Sequence, residues 1–153
     1  MDHTLIATLV EDIRHASEDT VIQSAWRLGD RLPSDYLARL SDQDKLNAAR
    51  ACLIVSAITE GRVVPRVFQL EASLAMLNRR DCVTIAGTGS GKTLCILIPI
   101  LLHPGNSVSV TVSPLKRLQT TQVLESERYG IKTIAINEDT PNDEALWKVG
   151  HPY

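Results

Sequence analysis

One stretch restricts this chain more than any other. Ala86-Gly87-Thr88-Gly89-Ser90-Gly91-Lys92-Thr93 sits between the apolar run Cys82-Val83-Thr84-Ile85 and the uncharged stretch Leu94 to Leu102. Glycines at alternate positions free the backbone to take left-handed dihedrals and to approach a ligand without a Cβ in the way. A loop of this kind, entering from a short buried strand and leaving into a helix, points backbone N–H groups and the positive end of a helix dipole at one spot. That spot attracts phosphate. Gly87, Thr88, Gly89, Ser90 and Gly91 would form the cradle, Lys92 would place a cation on the β- and γ-phosphates, and the Thr93 hydroxyl would ligate Mg²⁺. The pattern normally opens with glycine, whereas this chain has Ala86, which ends the strand.

The flanks give the expected organisation. Residues 1–64 read as helical: Leu5, Leu9 and Ile13 share a face with Ile6 and Val10 beside them. Ser41 with Asp44 resembles a capping box, followed by the stripe Leu46, Ala49, Leu53, Ile54, Ala57 and Ile58 and a stop at Gly61. After Pro65, the steps Val67, Leu70, Leu74 and Leu77 predict an amphipathic helix that ends at Arg79-Arg80-Asp81. Strands are predicted at 82–86, 107–112 and 131–136. Helices are predicted from Thr93 to about Leu102, bent or ended near Pro99, from Leu115 to about Arg128, and from Glu144 to Val149. Strand and helix alternation implies an α/β fold with a parallel sheet and crossover helices. The expected division is a helical N-terminal region, 1–64, and a P-loop domain, 65–153. The sheet is small and Tyr153 follows soon after its third strand, so an incomplete lobe is expected.

Composition excludes little. The net charge of −2 does not advertise nucleic acid but leaves room for a local basic stripe. Cys52, Cys82 and Cys95 are odd in number with no C-x-x-C spacing, and the four histidines are scattered, so neither a disulfide framework nor a zinc site is expected and a reducing intracellular setting is. The N-terminus carries acids and no basic start, which is unlike a signal peptide, and the run Leu94 to Leu102, interrupted by Pro99, is far too short to span a bilayer.

The ordered motifs resemble those of superfamily-two helicases, RecQ-like and close to the DEAD/DEAH-box type. Ala86 to Thr93 looks like their motif I. Arg66-Val67-Phe68-Gln69 resembles the Arg-x-x-Gln of motif 0, in which the glutamine reads the adenine edge, and Leu77 to Asp81 resembles the stretch before the P-loop strand. Val112-Ser113-Pro114-Leu115, with Leu118, Gln122 and Val123, is similar to motif Ia, and Gly130 to Asn137 fits the next strand. The resemblance covers about residues 65–150. It implies a partial RecA-like lobe that binds ATP with Mg²⁺ through Arg66, Gln69 and 87–93. It also implies contact with single-stranded or duplex DNA, RNA being a further candidate, through Ser113, Pro114, Leu115 and Gln122. The setting would be intracellular, nuclear for a helicase, with no membrane contact.

Taken without the resemblance, Arg66 and Gln69 lie one helical turn apart and can reach one ligand. Ser113-Pro114 can equally be a plain turn, and Lys116 and Arg117 can equally be solvated or paired with phosphate. Two departures stand out. Pro65 replaces an aromatic residue before Arg66. The Asp143-Glu144 pair follows a polar stretch with Pro141, so no buried strand delivers it as a catalytic Asp-Glu box. The chain is therefore expected to bind ATP with Lys92 as its catalytic lysine but not to unwind nucleic acid alone. Two other readings stay open: a small P-loop kinase or nucleoside triphosphatase, and a non-catalytic interaction module that docks a partner through the N-terminal helices.

Overall fold

A computed structural model describes residues 2–103 and 108–140. The N-terminal region is helical as the periodicity predicts. Helix α1 runs His3–His15 and buries Ile6 and Val10. Helix α2 runs Glu18–Trp26, with the Ser17 hydroxyl accepting from the Thr20 N–H at 3.3 Å and Glu18 and Asp19 in the first turn, where the helix dipole favours acids. A 3₁₀ turn at Gly29–Arg31 and the short α3, Ser34–Leu37, lead to α4, Asp42–Ile58. The Ser41 hydroxyl caps α4 by accepting from the Asp44 N–H at 3.3 Å. Past its end, Gly61 at φ +77° donates its N–H to the Ser56 carbonyl at 2.7 Å.

Helix α4 is the hub. Of the predicted stripe it buries Ala49, Ile54 and Ile58 and half-buries Leu46, Leu53 and Ala57; it also buries Ala48, Ala51, Cys52 and Val55, and it packs on α1, α2 and α3. Its small side chains let those neighbours approach closely. It also packs on two later helices: α5, Val67–Leu77, which buries Leu70 and Leu74, and α6, Thr93–Leu102, which buries Leu94, Leu97, Ile98 and Leu101. One hydrophobic core therefore runs from Ile6 through Cys52 and Leu70 to Ile98 and Tyr129, across the junction at residues 64 and 65. Polar ties reinforce it. The Arg50 guanidinium donates to the Ala16 carbonyl at 3.1 Å, Asn78 Nδ2 to Asp44 Oδ1 at 2.9 Å, and Arg31 to the Gly61 carbonyl.

Pro99 does not end α6, which continues to Leu102. Lacking an N–H, Pro99 cannot bond the Cys95 carbonyl one turn back. The buried Ser73 hydroxyl of α5 stands 3.5 Å from that carbonyl, while its shorter bond, 2.7 Å, goes to the Gln69 carbonyl. The last helix among the described residues, α7, runs Lys116–Arg128 and closes with Gly130 at φ +72° and the Ile131 N–H on the Ser126 carbonyl at 3.0 Å.

The expected parallel sheet is not there. Among the described residues no strand forms, and no backbone hydrogen bond joins 82–86, 108–112 and 131–136 to one another. Among the described residues the three segments carry no regular secondary structure. Much of their apolar surface faces solvent, with Ile85 95% and Val112 92% exposed, although Ile131 packs partly against the core. The α/β lobe read from the sequence is corrected to a helical assembly carrying segments without regular structure. The physical reason is that a strand is stabilised by the ladder and cross-strand contacts of its neighbours rather than by its own residues. Strand propensity without an adjacent partner leaves a chain without regular structure. Ser107, the helix predicted at Glu144–Val149 and the Asp143-Glu144 pair lie outside the described residues.

Two outcomes follow for stability and reactivity. A Cβ at Gly130 would sit 2.8 Å from Ile6 Cγ2 at a left-handed φ, so Gly130→Ala should destabilise the chain by about 1–3 kcal/mol, read as a lower urea midpoint. An unchanged midpoint would show that α7 does not close against α1 as described. Burial pushes the Cys52 thiol up to about 12 and raises Cys95 as well, whereas Cys82 is exposed. A thiol reagent at mildly alkaline pH should label Cys82 rapidly and reach Cys52 and Cys95 only on unfolding. Rapid labelling at more than one site would contradict this core.

Candidate nucleotide-binding loop and its neighbours

The glycine loop leaves the exposed segment 82–86 and enters α6, whose apolar sequence is buried on nearly every side. The helix is thus fixed by the core and the loop hangs from its N-terminus. Gly89 at φ +76° and Gly91 at φ +82° take the left-handed dihedrals that the glycine pattern predicts. The N–H groups of Gly89, Gly91, Lys92 and Thr93 find no backbone acceptor among the described residues. They form a cluster of free donors at the start of α6, the arrangement that suits an anion.

Lys92 closes over this loop. Its Nζ donates to the Ala86 carbonyl at 2.8 Å and to the Gly87 carbonyl at 2.7 Å. The lysine cation is therefore held by the loop's own oxygens, and Lys92 remains exposed to solvent. Gly87, Thr88 and Gly89 are exposed, while Ser90 is half-buried with a hydroxyl that has no partner among the described residues. Thr93 is the first residue of α6. It can offer one oxygen to a cation. Among the described residues no cluster of acids, histidines or cysteines gathers to hold a metal, so the donor set fits Mg²⁺ only as one that arrives on phosphate oxygens.

Gln69 is brought directly against the loop. It is 3% exposed, and its Nε2 donates to the Gly91 carbonyl at 2.8 Å and lies 3.4 Å from the Ser90 carbonyl. Its Oε1 accepts the Arg66 N–H at 2.8 Å, capping the first turn of α5. The side chain thus joins α5 to the loop at both ends. A Cβ on Gly91 would stand 2.8 Å from Gln69 Nε2, so the glycine serves close approach as well as dihedral freedom. Arg66 is exposed beside it. The sequence placed Arg66 and Gln69 on one face; it gave no sign that Gln69 would brace the loop, since that contact joins residues far apart in the chain. Ser73, which neighbours the same helix pair, carried no motif signal at all.

The second set of predicted residues stands apart, at the start of α7. Pro114 and Leu115 are exposed, and Ser113 and Gln122 are half-buried. The Ser113 hydroxyl has no hydrogen-bond partner among the described residues, and the Ser113 carbonyl accepts from Gln119 Nε2 at 3.1 Å. The described residues show no hydrogen bond between this junction and the glycine loop. Lys116, read as solvated or phosphate-facing, instead pairs with Glu138 at 2.5 Å and Asp139 at 2.6 Å. Hydrogen bonds to Asp139 and then Glu138 raise its pKa. No spacing in the sequence marks those acids as its partners.

Comparison with known proteins fits the loop's chemistry. The chain is 36% identical over 80 residues to a Caenorhabditis briggsae protein named for ATP-dependent DNA helicase Q1, covering 52% of this chain and 13% of that one. It is 36% identical over 80 residues to the RecQ-like DNA helicase BLM of Xenopus laevis, covering 52% of this chain and 6% of the relative. The ATP-dependent DNA helicase RecQ of Synechocystis is 33% identical over 78 residues, covering 49% of this chain and 16% of the relative. The chain thus spans a small part of the length of these relatives. No solved structure matches. The DEAD/DEAH box helicase profile matches residues 66–148, which include the glycine loop, Arg66, Gln69 and the Ser113 junction. With more than half of its length matched in this way, the chain belongs to the DEAD/DEAH box helicase family.

Proposed function

We propose that this chain is an ATP-binding portion of an ATP-dependent DNA helicase, in which residues 87–93 hold the triphosphate with Mg²⁺. The observation that carries the reading is the cluster of free N–H donors at the start of α6, with Gly89 and Gly91 in left-handed conformations and Lys92 beside them. Lys92 now spends its charge on the Ala86 and Gly87 carbonyls. A β- or γ-phosphate oxygen is a charged acceptor and outbids a neutral carbonyl, so nucleotide entry would swing Nζ from the loop to the ligand. Thr93 Oγ1 would supply one oxygen to Mg²⁺, the remaining positions coming from phosphate and water.

Gln69 has a double role in this reading. Its bonds to Gly91 and Arg66 hold the loop against α5. To read adenine as well, its buried amide would have to exchange these bonds for the base edge, with exposed Arg66 beside it. Ser113, Pro114, Leu115 and Gln122 would meet the backbone of single-stranded DNA, and the names of the relatives favour DNA over RNA. An intracellular setting accompanies the helicase reading. No helix among the described residues is long and apolar enough to cross a membrane.

Lys92→Ala should weaken Mg·ATP binding by on the order of 2–4 kcal/mol in calorimetric titration, because it removes the cation aimed at the phosphates. Wild-type affinity in that variant would dismiss the phosphate cradle. Gln69→Ala should both lower ATP affinity and erase a preference for ATP over GTP in competition. It should also cost about 1–3 kcal/mol of stability, since the Gly91 carbonyl and Arg66 N–H lose their partner. A wild-type chain that binds ATP and GTP equally would remove the adenine assignment while leaving the cradle intact.

A further inference from the structure

The segment after 131–136 folds into a tight turn that the proposed activity does not use. The Asn137 N–H donates to Thr140 Oγ1 at 2.8 Å, the Asp139 N–H to Asn137 Oδ1 at 3.0 Å, and the Thr140 N–H to the Asn137 carbonyl at 3.0 Å. This turn is strapped to the start of α7 in two places. Asn137 Nδ2 donates to Gln119 Oε1 at 3.0 Å, and Gln119 Nε2 in turn holds the Ser113 carbonyl at 3.1 Å. Beside that strap, Lys116 Nζ lies between Glu138 Oε1 at 2.5 Å and Asp139 Oδ2 at 2.6 Å.

The chemistry at this junction is unusual for a helix start. Helix α7 carries no acid in its own first turn, the place where the dipole favours one. The turn supplies two carboxylates from outside, both on the side chain of the helix's first residue. The two carboxylates occupy the Lys116 ammonium next to Ser113, Pro114 and Leu115. A phosphodiester approaching that junction meets Lys116 already bonded. The pairs are nevertheless exposed, with side-chain exposures of 48% for Lys116, 78% for Glu138 and 73% for Asp139. Exposed ion pairs are weak and screened by salt, so they can be exchanged for another anion.

We propose that the Asn137–Thr140 turn is an internal mimic of the nucleic-acid backbone, a latch that keeps Lys116 closed until a phosphate of the strand displaces Glu138 and Asp139. The proposal rests on the reading that the Ser113–Leu115 junction meets nucleic acid. It adds Lys116 as the residue that takes the phosphate and the acidic turn as the element that sets how readily it does so. The Gln119 strap keeps the turn in place, so the carboxylates are held near Lys116 at a high local concentration rather than found by chance.

The test uses the full chain and a fluorescein-labelled oligothymidylate, with binding read by anisotropy over a range of NaCl concentrations. Four proteins form a cycle: wild type, the double substitution Glu138→Gln with Asp139→Asn, Lys116→Ala, and all three together. The double substitution should bind about tenfold more tightly at low salt, and its salt slope should be steeper by about 0.7, the value of one added contact to a single strand. Lys116→Ala alone should bind more weakly than wild type, because it removes the cation that takes the phosphate and leaves Glu138 and Asp139 unpaired. Adding it to the double substitution should remove most of the gain and the extra slope. A wild-type chain that binds, with no gain on neutralising the acids or an equal gain with and without Lys116, overturns the latch alone. Failure of all four proteins to bind removes the nucleic-acid reading of the junction, and the latch falls with it.

Discussion

The burial of α6 is the constraint on which the rest of the structure depends. Its sequence from Leu94 to Leu102 has no polar face, so it gains from water only when neighbours cover it all round. Helices α4 and α5 supply most of that cover, and α1 and α7 add to it. Fully burying an aliphatic side chain is worth about 1.5–3 kcal/mol, and Leu97, Ile98 and Leu70 are each buried almost completely. Because the core fixes α6, it also fixes the N-terminus from which the glycine loop hangs. The candidate site thus inherits its rigidity from packing on the far side of the helix.

Polar contacts then define the loop within that frame. Gln69 reaches from a helix held by the core to the carbonyl of Gly91, and its other end caps α5 through the Arg66 N–H. One buried side chain therefore sets both the start of α5 and the position of the loop. Such a group is costly to leave unsatisfied, so the two features stand or fall together. Lys92 contrasts with it. Its two bonds to loop carbonyls are exposed, and they can be exchanged when a charged acceptor arrives. A fixed brace and a movable cation are what a site needs that must hold its shape while it changes its ligand.

The N-terminal helices belong to this design in a physical sense. Cys52, Ile54 and Val55 of α4 lie in the same core as Leu70 and Ile98. The surface of α5 and α6 that they cover would otherwise be an apolar face in water. Residues 1–64 carry no catalytic motif, and their helices bury the back of the helix pair beside the candidate loop.

The sequence by itself determined the local features. It placed the helices, since apolar residues recur at helical spacing in α1, α4 and α5. It placed the stop at Gly61, whose φ of +77° suits glycine. It placed the glycine loop, because Gly89, Gly91, Lys92 and Thr93 act within one turn of chain. Tertiary structure decided everything that joins distant segments. The strands predicted at 82–86, 107–112 and 131–136 needed neighbours that the described residues do not provide, and propensity alone could not reveal that. Pro99 predicts a bend or an end near it, and α6 runs past it to the expected Leu102. Gln69 on the Gly91 carbonyl, Ser73 near the Cys95 carbonyl, and Lys116 between Glu138 and Asp139 each join partners about twenty residues apart. A periodic pattern encodes which face a helix buries. It does not encode what that face, or a lysine at its end, will meet across the fold.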